Sequence, residues 1–353
     1  MVDTMNEMPG MTATENETRR GALDESLSTS PSAAATVATP GTTPPRAPGL
    51  DGPRDEFAAG DDPSVEILAS HHARVGSFDV RRAIPQRARR TIGAWCFADH
   101  MGPADVTEGS GLDIGPHPHT GLQTVTWLID GQALHRDSLG SEQVIRAGEL
   151  NLMSAGRGVS HSEEATGHYR GTLQGLQLWI AQDERRRHEA PWFEHHASLD
   201  QVELGEGSAT VFVGEMGGAR SVARHDGDLV GAQVRLNGVA HVPLSVGYEY
   251  GVIVLEGLIS LEGRELGPGT VGYLAPGRDE ARVTSSGPCT VIILGGTPLD
   301  EPIFMWWNFV ARTRAEIDDA FDSWRDDDGR FGRVASSLAR VETAAPYWRA
   351  RDN

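Results

Sequence analysis

The sequence predicts an all-β chain of barrels or sandwiches, closed by one helix near its C-terminal end. Three observations carry that reading. The runs TVTWLI, LNLM, LQLWI, ATVFVG, GVIVL and TVIIL have strand length and are rich in Val, Ile, Thr and Trp. Gly, Pro, Asp and Asn separate them, as turn residues should. A weak internal repeat also emerges when glycines are aligned: IDG (129–131) matches LEG (255–257), AGELNLM (147–153) matches PGTVGYL (268–274), and SAG (154–156) matches APG (275–277). Two copies of one β unit are implied.

In chain order, residues 1–62 are Ser, Thr, Pro, Ala and Gly with scattered acids, as in STSPSAAATVATPGTTPPRAPG. Such a segment buries too little apolar surface to offset its ordering entropy, so a disordered tail is expected there, with order beginning near Ser64 to Leu68. From there to about residue 300 the strand runs follow one another. Thr313 and Glu316 then form a T-x-x-E capping box, and Ile317, Ala320, Phe321 and Trp324 recur on one helical face that must cover something, a barrel being the expected surface.

Composition removes several function classes. The 353 residues can hold two domains of ordinary size, and no stretch has the apolar length of a membrane span. A formal charge of -19 without a basic patch disfavours nucleic acid and anionic lipid as partners. All 31 basic residues are arginine, which excludes lysine Schiff-base chemistry and a P-loop lysine. Cys96 and Cys289 are too few and too far apart for a disulfide framework or a thiolate metal site, and read as buried small hydrophobes. The N-terminus lacks a basic start and an apolar core of the secretory kind, so the cytoplasm is the expected location.

The chemistry concentrates in two short pairs. In GPHPHTG, His117 and His119 are two apart on an extended segment and aim at one face. About forty residues later, in GRGVSHSE, His161 and Glu163 share a parity in the same way. An isolated H-x-H is a weak signal, and two turn motifs with carbonyl-bonded histidines would be the bland explanation. Two such pairs on neighbouring strands of a small barrel instead surround one point with three imidazoles and a carboxylate. That donor set, lacking thiolate, suits Fe(II), Mn, Co, Ni, Cu or Zn with open positions.

HPHTGLQTVTWLIDG, LHRDSLGSEQVIRAGELNLMSAGRGVSHSE and GLQLWI, in that order, resemble the pirin family, and EPIFMWWNFVARTRAEIDDAF is similar to it near the C-terminus. The resemblance implies a bicupin, two stacked jelly-roll-like β-barrels, with one metal, usually iron as Fe(II), in the N-terminal barrel. Its ligand motif falls on His117, His119, His161 and Glu163. The division that follows is a disordered tail (1–62), a metal-binding cupin barrel (63–200), a degenerate cupin barrel with the helix (201–330) and an extension (331–353).

Cupins in general often place a glutamate four residues after the second histidine; here Gln123 stands there and reads as pocket lining. In the second copy, counting from Gly257 puts Pro243, Ser245, Arg282 and Thr284 at the ligand places, so no ligand survives; nearby His241 reads as structural. His135, Arg136 and Asp137 fit either a strand-end polar network or the support of a metal-bound histidine. His100 is placed at the barrel mouth. The pairs His71-His72 and His195-His196 read as surface, and RRRH (185–188) as a solvated turn.

The family resemblance implies quercetin 2,3-dioxygenase activity, in which dioxygen opens the central ring of a flavonol with loss of carbon monoxide. Glu163 would take the flavonol hydroxyl proton, and Trp127, Leu152 or Met153 would cradle the aromatic rings. Pirins also imply a second class, a metal-dependent regulatory protein that binds a protein partner, and a cupin isomerase or hydrolase is a third. Deleting residues 1–60 is expected to leave the melting temperature within about 5 °C of the full chain, the shift that roughly 1 kcal/mol produces in a small domain; calorimetry of the two proteins checks it.

Overall fold

The computed structural model describes residues 65–75, 78–107 and 111–349. The expected disordered tail lies outside the described residues. Among the described residues the chain is mostly β, with one α-helix, arranged as two cupin barrels.

The first barrel uses β2 (His71–Val75), β3 (Phe78–Ile84), β4 (Trp95–Val106), β5 (Ile114–His119), β6 (Leu122–Asp130), β7 (Gln132–Asp137), β8 (Glu142–Arg146), β9 (Leu150–Ser154), β10 (Val159–Glu164), β11 (Gly171–Ala181) and β12 (Trp192–His196), after a first strand β1 (Glu66–Ala69). They form a four-stranded sheet in the order β5-β10-β7-β8 and a seven-stranded sheet in the order β12-β9-β6-β11-β4-β3-β2. Further along come β13 (Gln201–Glu203), β14 (Gly205–Val213), the short pair β15 (Glu215–Met216) and β16 (Ala219–Arg220), β17 (Leu229–Pro243), β18 (Glu249–Glu256), β19 (Ile259–Leu261), β20 (Arg264–Leu266), β21 (Thr270–Leu274), β22 (Glu280–Ser285) and β23 (Cys289–Gly296). Most of these form a ten-stranded sheet, which β1 joins by pairing with β21.

The glycine repeat has a structural counterpart. β6 pairs with β9 and β11 as β18 pairs with β21 and β23, and β10 lies between β5 and β7 as β22 lies between β17 and β19. β17 supplies in one strand what β4 and β5 supply separately, pairing β23 with its first half and β22 with its second. In the second barrel the positions facing inward are Ala240 and Val242 on β17 and Ala281 and Val283 on β22, all in the apolar core. His241 and Arg282, one residue out of phase, are exposed, and His241 pairs with Glu280 at 2.7 Å. The glycine count to Arg282 and Thr284 therefore lands one residue off, because the loops differ in length, yet no metal-ligand side chain occupies these inward places.

The barrels meet through an apolar core that includes Trp95, Val125, Trp127, Leu152, Leu178 and Ile180 from the first and Phe212, Ile253, Ile292 and Leu294 from the second. Polar ties frame it: Trp127 Nε1 donates to Gln233 Oε1 at 2.8 Å, and the Asp226 amide donates to Gln123 Oε1 at 3.1 Å.

After the second barrel the chain returns to the first. β24 (Phe304–Trp306) and β25 (Phe309–Ala311) make a hairpin, and α1 (Arg314–Asp326) follows. The Thr313–Glu316 capping box is formed, and Ile317, Ala320, Phe321 and Trp324 are buried with Phe309 and Phe331, as the helical spacing predicted. Val310 donates to the Thr120 carbonyl at 3.1 Å, just beyond β5. Gly121, at φ 71°, is required there: a Cβ would collide with the Val310 carbonyl oxygen. The RRRH segment is a turn of 3-10 form with Arg185, Arg186 and His188 exposed, as expected, while Arg187 is buried and ties Glu184 at 2.6 Å to Glu316 of the helix cap at 3.0 Å. Among the described residues no helix is long and apolar enough to cross a membrane.

Phe309 is fully buried and stacks on Phe331 at 5.7 Å between ring centroids. Phe309→Ala is expected to destabilise the protein by about 3–5 kcal/mol, the usual cost of emptying a buried phenylalanine site; denaturant unfolding of the variant against the parent measures it.

Candidate metal centre

Alternation along adjacent strands builds the site. β5 and β10 are antiparallel, with His161 opposite His117 and Val159 opposite His119. Residues opposite each other point to the same side of the sheet, so His117, His119 and His161 converge inside the first barrel. Their ligand nitrogens lie within 4.8 Å of one another, and the three rings are at most 7 % exposed. Glu163 follows on β10, beyond a register shift that sets it opposite Ile114. It is buried but stands outside that 4.8 Å group; the Thr126 hydroxyl, with a single proton to give, lies 3.3 Å from its Oε1 and 3.1 Å from Gln177 Oε1.

Each imidazole is oriented through its Nδ1. His117 Nδ1 donates to the Gly115 carbonyl at 2.9 Å and His119 Nδ1 to the Asn308 carbonyl at 3.1 Å. With the proton on Nδ1, the Nε2 lone pair is free to bind. The Nε2 atoms of His119 and His161 face each other at 3.0 Å. Two metal–nitrogen bonds of about 2.0–2.1 Å at right angles would place their nitrogens about 2.9 Å apart. The donors present therefore fit a transition-metal ion.

Burial keeps these rings neutral. It pushes His117 down to about 4, against the opposing Gly115 hydrogen bond, and together with the neighbouring rings it holds His119 and His161 well below the ordinary imidazole value. Burial pushes the Glu163 carboxyl up to about 7, with the Thr126 hydroxyl opposing.

Other sequence candidates fall elsewhere. Arg136 points outward to Glu142 and Glu164 at 3.0 and 2.5 Å, whereas His135 and Asp137 point inward and are bonded to each other at 3.1 Å. His100 is buried on β4 against Gln174 at 3.2 Å and is not in the cluster. Gln123 does not line the pocket; it faces the second barrel. Trp127 and Leu152 pack in the core between the barrels, so of the three expected cradle residues only Met153 lies beside Val159 on the ligand side. His195 and His196 are half-buried, with His195 Nδ1 bonded to Asn151 Oδ1 at 2.8 Å.

Two features escaped the sequence reading. Asn308 acts through its backbone carbonyl, which any residue type can supply. Trp179 lies edge-on to His119 at 5.2 Å between centroids and stacks on Phe97 at 4.1 Å; its buried indole N–H has no hydrogen-bond partner among the described residues. The run LQLWI announced a strand, but both of its faces are buried and nothing in it marks the tryptophan as a neighbour of the histidines.

Comparison with known proteins agrees with the two-cupin fold. The Pirin family profile matches residues 77–180, and that of the Pirin C-terminal cupin domain matches residues 230–332. A Pseudomonas aeruginosa protein, provisionally named a quercetin 2,3-dioxygenase, is 42% identical over 273 residues, 77% of this chain and 86% of the relative. A pirin-like protein of Caulobacter vibrioides is 36% identical, over 73% of this chain and 92% of its own length. The crystal structure of a quercetin 2,3-dioxygenase from Acinetobacter baumannii superposes with a TM-score of 0.77 at 39% identity, covering 80% of this chain and 95% of that one.

The lowered imidazole values carry a sign for stability. Unfolding releases rings that bind protons at the ordinary value of 6.5, while the folded protein resists protonation until about 4 at His117. The unfolded state thus holds more protons between those values, and stability falls as pH drops through that window. Glu163 works the other way, since a carboxyl raised to about 7 adds stability as pH falls from there to 4.5, so the imidazole contribution is read by difference: in urea unfolding of metal-free protein the change from pH 6.5 to 4 should be less destabilising in His117→Gln than in the parent.

Proposed function

The chain belongs to the pirin family, and from that premise we propose that it is a metal-dependent oxidoreductase of the quercetin 2,3-dioxygenase type, acting on a flavonol or a related aromatic substrate with dioxygen. The observation that carries the reading is the buried three-histidine cluster in the first barrel, together with the names borne by the relatives and by the superposing crystal structure. The reading keeps the metal in the barrel of residues 63–200 and treats that of residues 201–330 as its degenerate copy.

His117, His119 and His161 would hold the ion, in this reading Fe(II), and Glu163 would complete the set or stand beside it. Bound there, the metal supplies Lewis-acid and redox chemistry toward an oxygen-bearing substrate and dioxygen. The chain's own groups do the rest. Glu163, a buried carboxylate, accepts the proton of the substrate hydroxyl, and the Thr126 hydroxyl keeps one of its oxygens engaged. Trp179 offers an unengaged indole donor next to His119. Phe97, stacked on Trp179, supplies an apolar surface on the same side. Burial of all four acidic and imidazole groups excludes bulk water from the proton transfer.

One equivalent of metal per chain is expected, lost in His117→Ala and His161→Ala and kept in Ser245→Ala, as elemental analysis reads directly. Metal-loaded protein should consume quercetin in air and release carbon monoxide, above the autoxidation seen with the His117→Ala protein. Glu163→Gln keeps the shape but loses the base, so it should fall by about 10² to 10⁴ in rate even with excess metal. No carbon monoxide with iron, manganese or nickel would sink the dioxygenase reading and leave metal-dependent capture of a protein partner as the function to test; full activity in Glu163→Gln would retire only the role given to that residue.

A further inference from the structure

Three imidazoles that present Nε2 to one point must each carry a proton on Nδ1, and each Nδ1–H must find an acceptor. His117 and His119 find neutral backbone carbonyls, those of Gly115 and Asn308. His161 is different. Its Nδ1 faces Nδ1 of His135 at 3.4 Å, and among the described residues no backbone carbonyl is bonded to it.

The tautomer of His135 follows from its other neighbour. His135 Nε2 lies 3.1 Å from Asp137 Oδ2. An ionised carboxylate only accepts, so the His135 proton sits on Nε2 and points at Asp137. His135 Nδ1 is then a lone pair, and the contact with His161 closes in one sense: His161 donates and His135 accepts. Asp137 is held for this by two backbone donors, since its Oδ1 accepts from the amides of Leu139 and Ser141, each at 2.9 Å. The His135 ring is held by Phe193, stacked on it at 4.4 Å and 13°. Both relay residues are buried, His135 at 4% and Asp137 at 3% exposure, so water does not compete for the contacts.

We infer that Asp137 and His135 form a positioning relay that orients His161 and sets its donor strength toward the metal, making His161 the one ligand of the three tuned by a side-chain charge. The inference rests on the metal reading of the cluster. Neither residue touches the ion or the substrate; Asp137 acts through His135, and His135 through His161. Strand pairing makes this economical. Asp137 stands opposite His161 and His135 opposite Glu163, so one inward-facing pair on β7 backs the inward-facing pair on β10.

Asp137→Asn has a specific consequence. The Leu139 and Ser141 amides keep the amide oxygen in the Oδ1 place, which turns the NH2 group toward His135 Nε2. His135 must then carry its proton on Nδ1, and two N–H groups face each other at His161. The probe is Zn(II), redox-silent and diamagnetic, with affinity read by competition with a chelator. Asp137→Asn is expected to bind about 10- to 100-fold more weakly, the usual loss when the partner of a ligating histidine is removed. His135→Phe removes the acceptor, keeps the stack on Phe193, and should lose a similar factor. In the double variant the inverted donor no longer exists, so its affinity should equal that of His135→Phe alone.

Imidazole ¹⁵N spectra of Zn(II)-loaded parent protein supply a readout that needs no variant: Nδ1–H on His161 and Nε2–H on His135 are expected. A His135 proton on Nδ1 in the parent, parental affinity in both single variants, or losses that add in the double variant would each overturn the relay and leave the metal site standing. Failure of the parent itself to bind Zn(II) would overturn both.

Discussion

Side-chain alternation on β6 and β11 is the constraint on which the rest of this structure depends. Both strands are buried on both faces, and successive residues serve different compartments. Val125, Trp127, Leu176, Leu178 and Ile180 join the core between the barrels, while Thr126, Gln177 and Trp179 turn to the chamber that holds the histidines and Glu163. A slip of one residue would exchange the two sets, putting Trp127 and aliphatic groups against the histidines and hydroxyl and amide groups into an apolar interface. The register that joins the barrels is therefore the register that keeps the chamber polar.

Within that chamber the histidines owe their readiness to burial. A ring that resists protonation down to about 4 presents a lone pair at neutral pH, and hydrogen bonds at Nδ1 decide which nitrogen presents it. The same burial weakens the protein in acid, so ligand availability and acid sensitivity have one physical origin. Asp137 differs from these rings. Burial works against its charge, but the hydrogen bonds from His135 and Ser141 outweigh that and hold its carboxyl below the ordinary range. A stable negative charge thus persists two side chains behind the cluster.

The fold class, the repeat, the helix with its cap and the three histidines were legible because each leaves a local periodic trace. Parity puts His117 and His119 on one face, and the same rule applies at His161 and Glu163, though it does not reveal the register shift that separates Glu163 from the 4.8 Å group. The burial of β6 on both faces erased the hydropathy contrast that would have told Trp127 from Thr126, which is why the expected ring cradle was misplaced. Gln123 went astray for the same reason. The second barrel was aligned one residue off because its loops differ in length, and Asn308 left no trace because its contribution is a backbone carbonyl.

That carbonyl lies 189 residues after His119. Chains emerge from the ribosome N-terminal first, at about 5–20 residues per second, so His119 waits about 10–40 s for its acceptor. Over that interval the strands that carry the ligands can pair, but the partner that fixes the His119 tautomer, and the hairpin and helix that deliver it, do not yet exist. The histidine cluster thus gains its last backbone acceptor only after the second barrel has been made, and synthesis itself sets the order in which barrel and docking module come together.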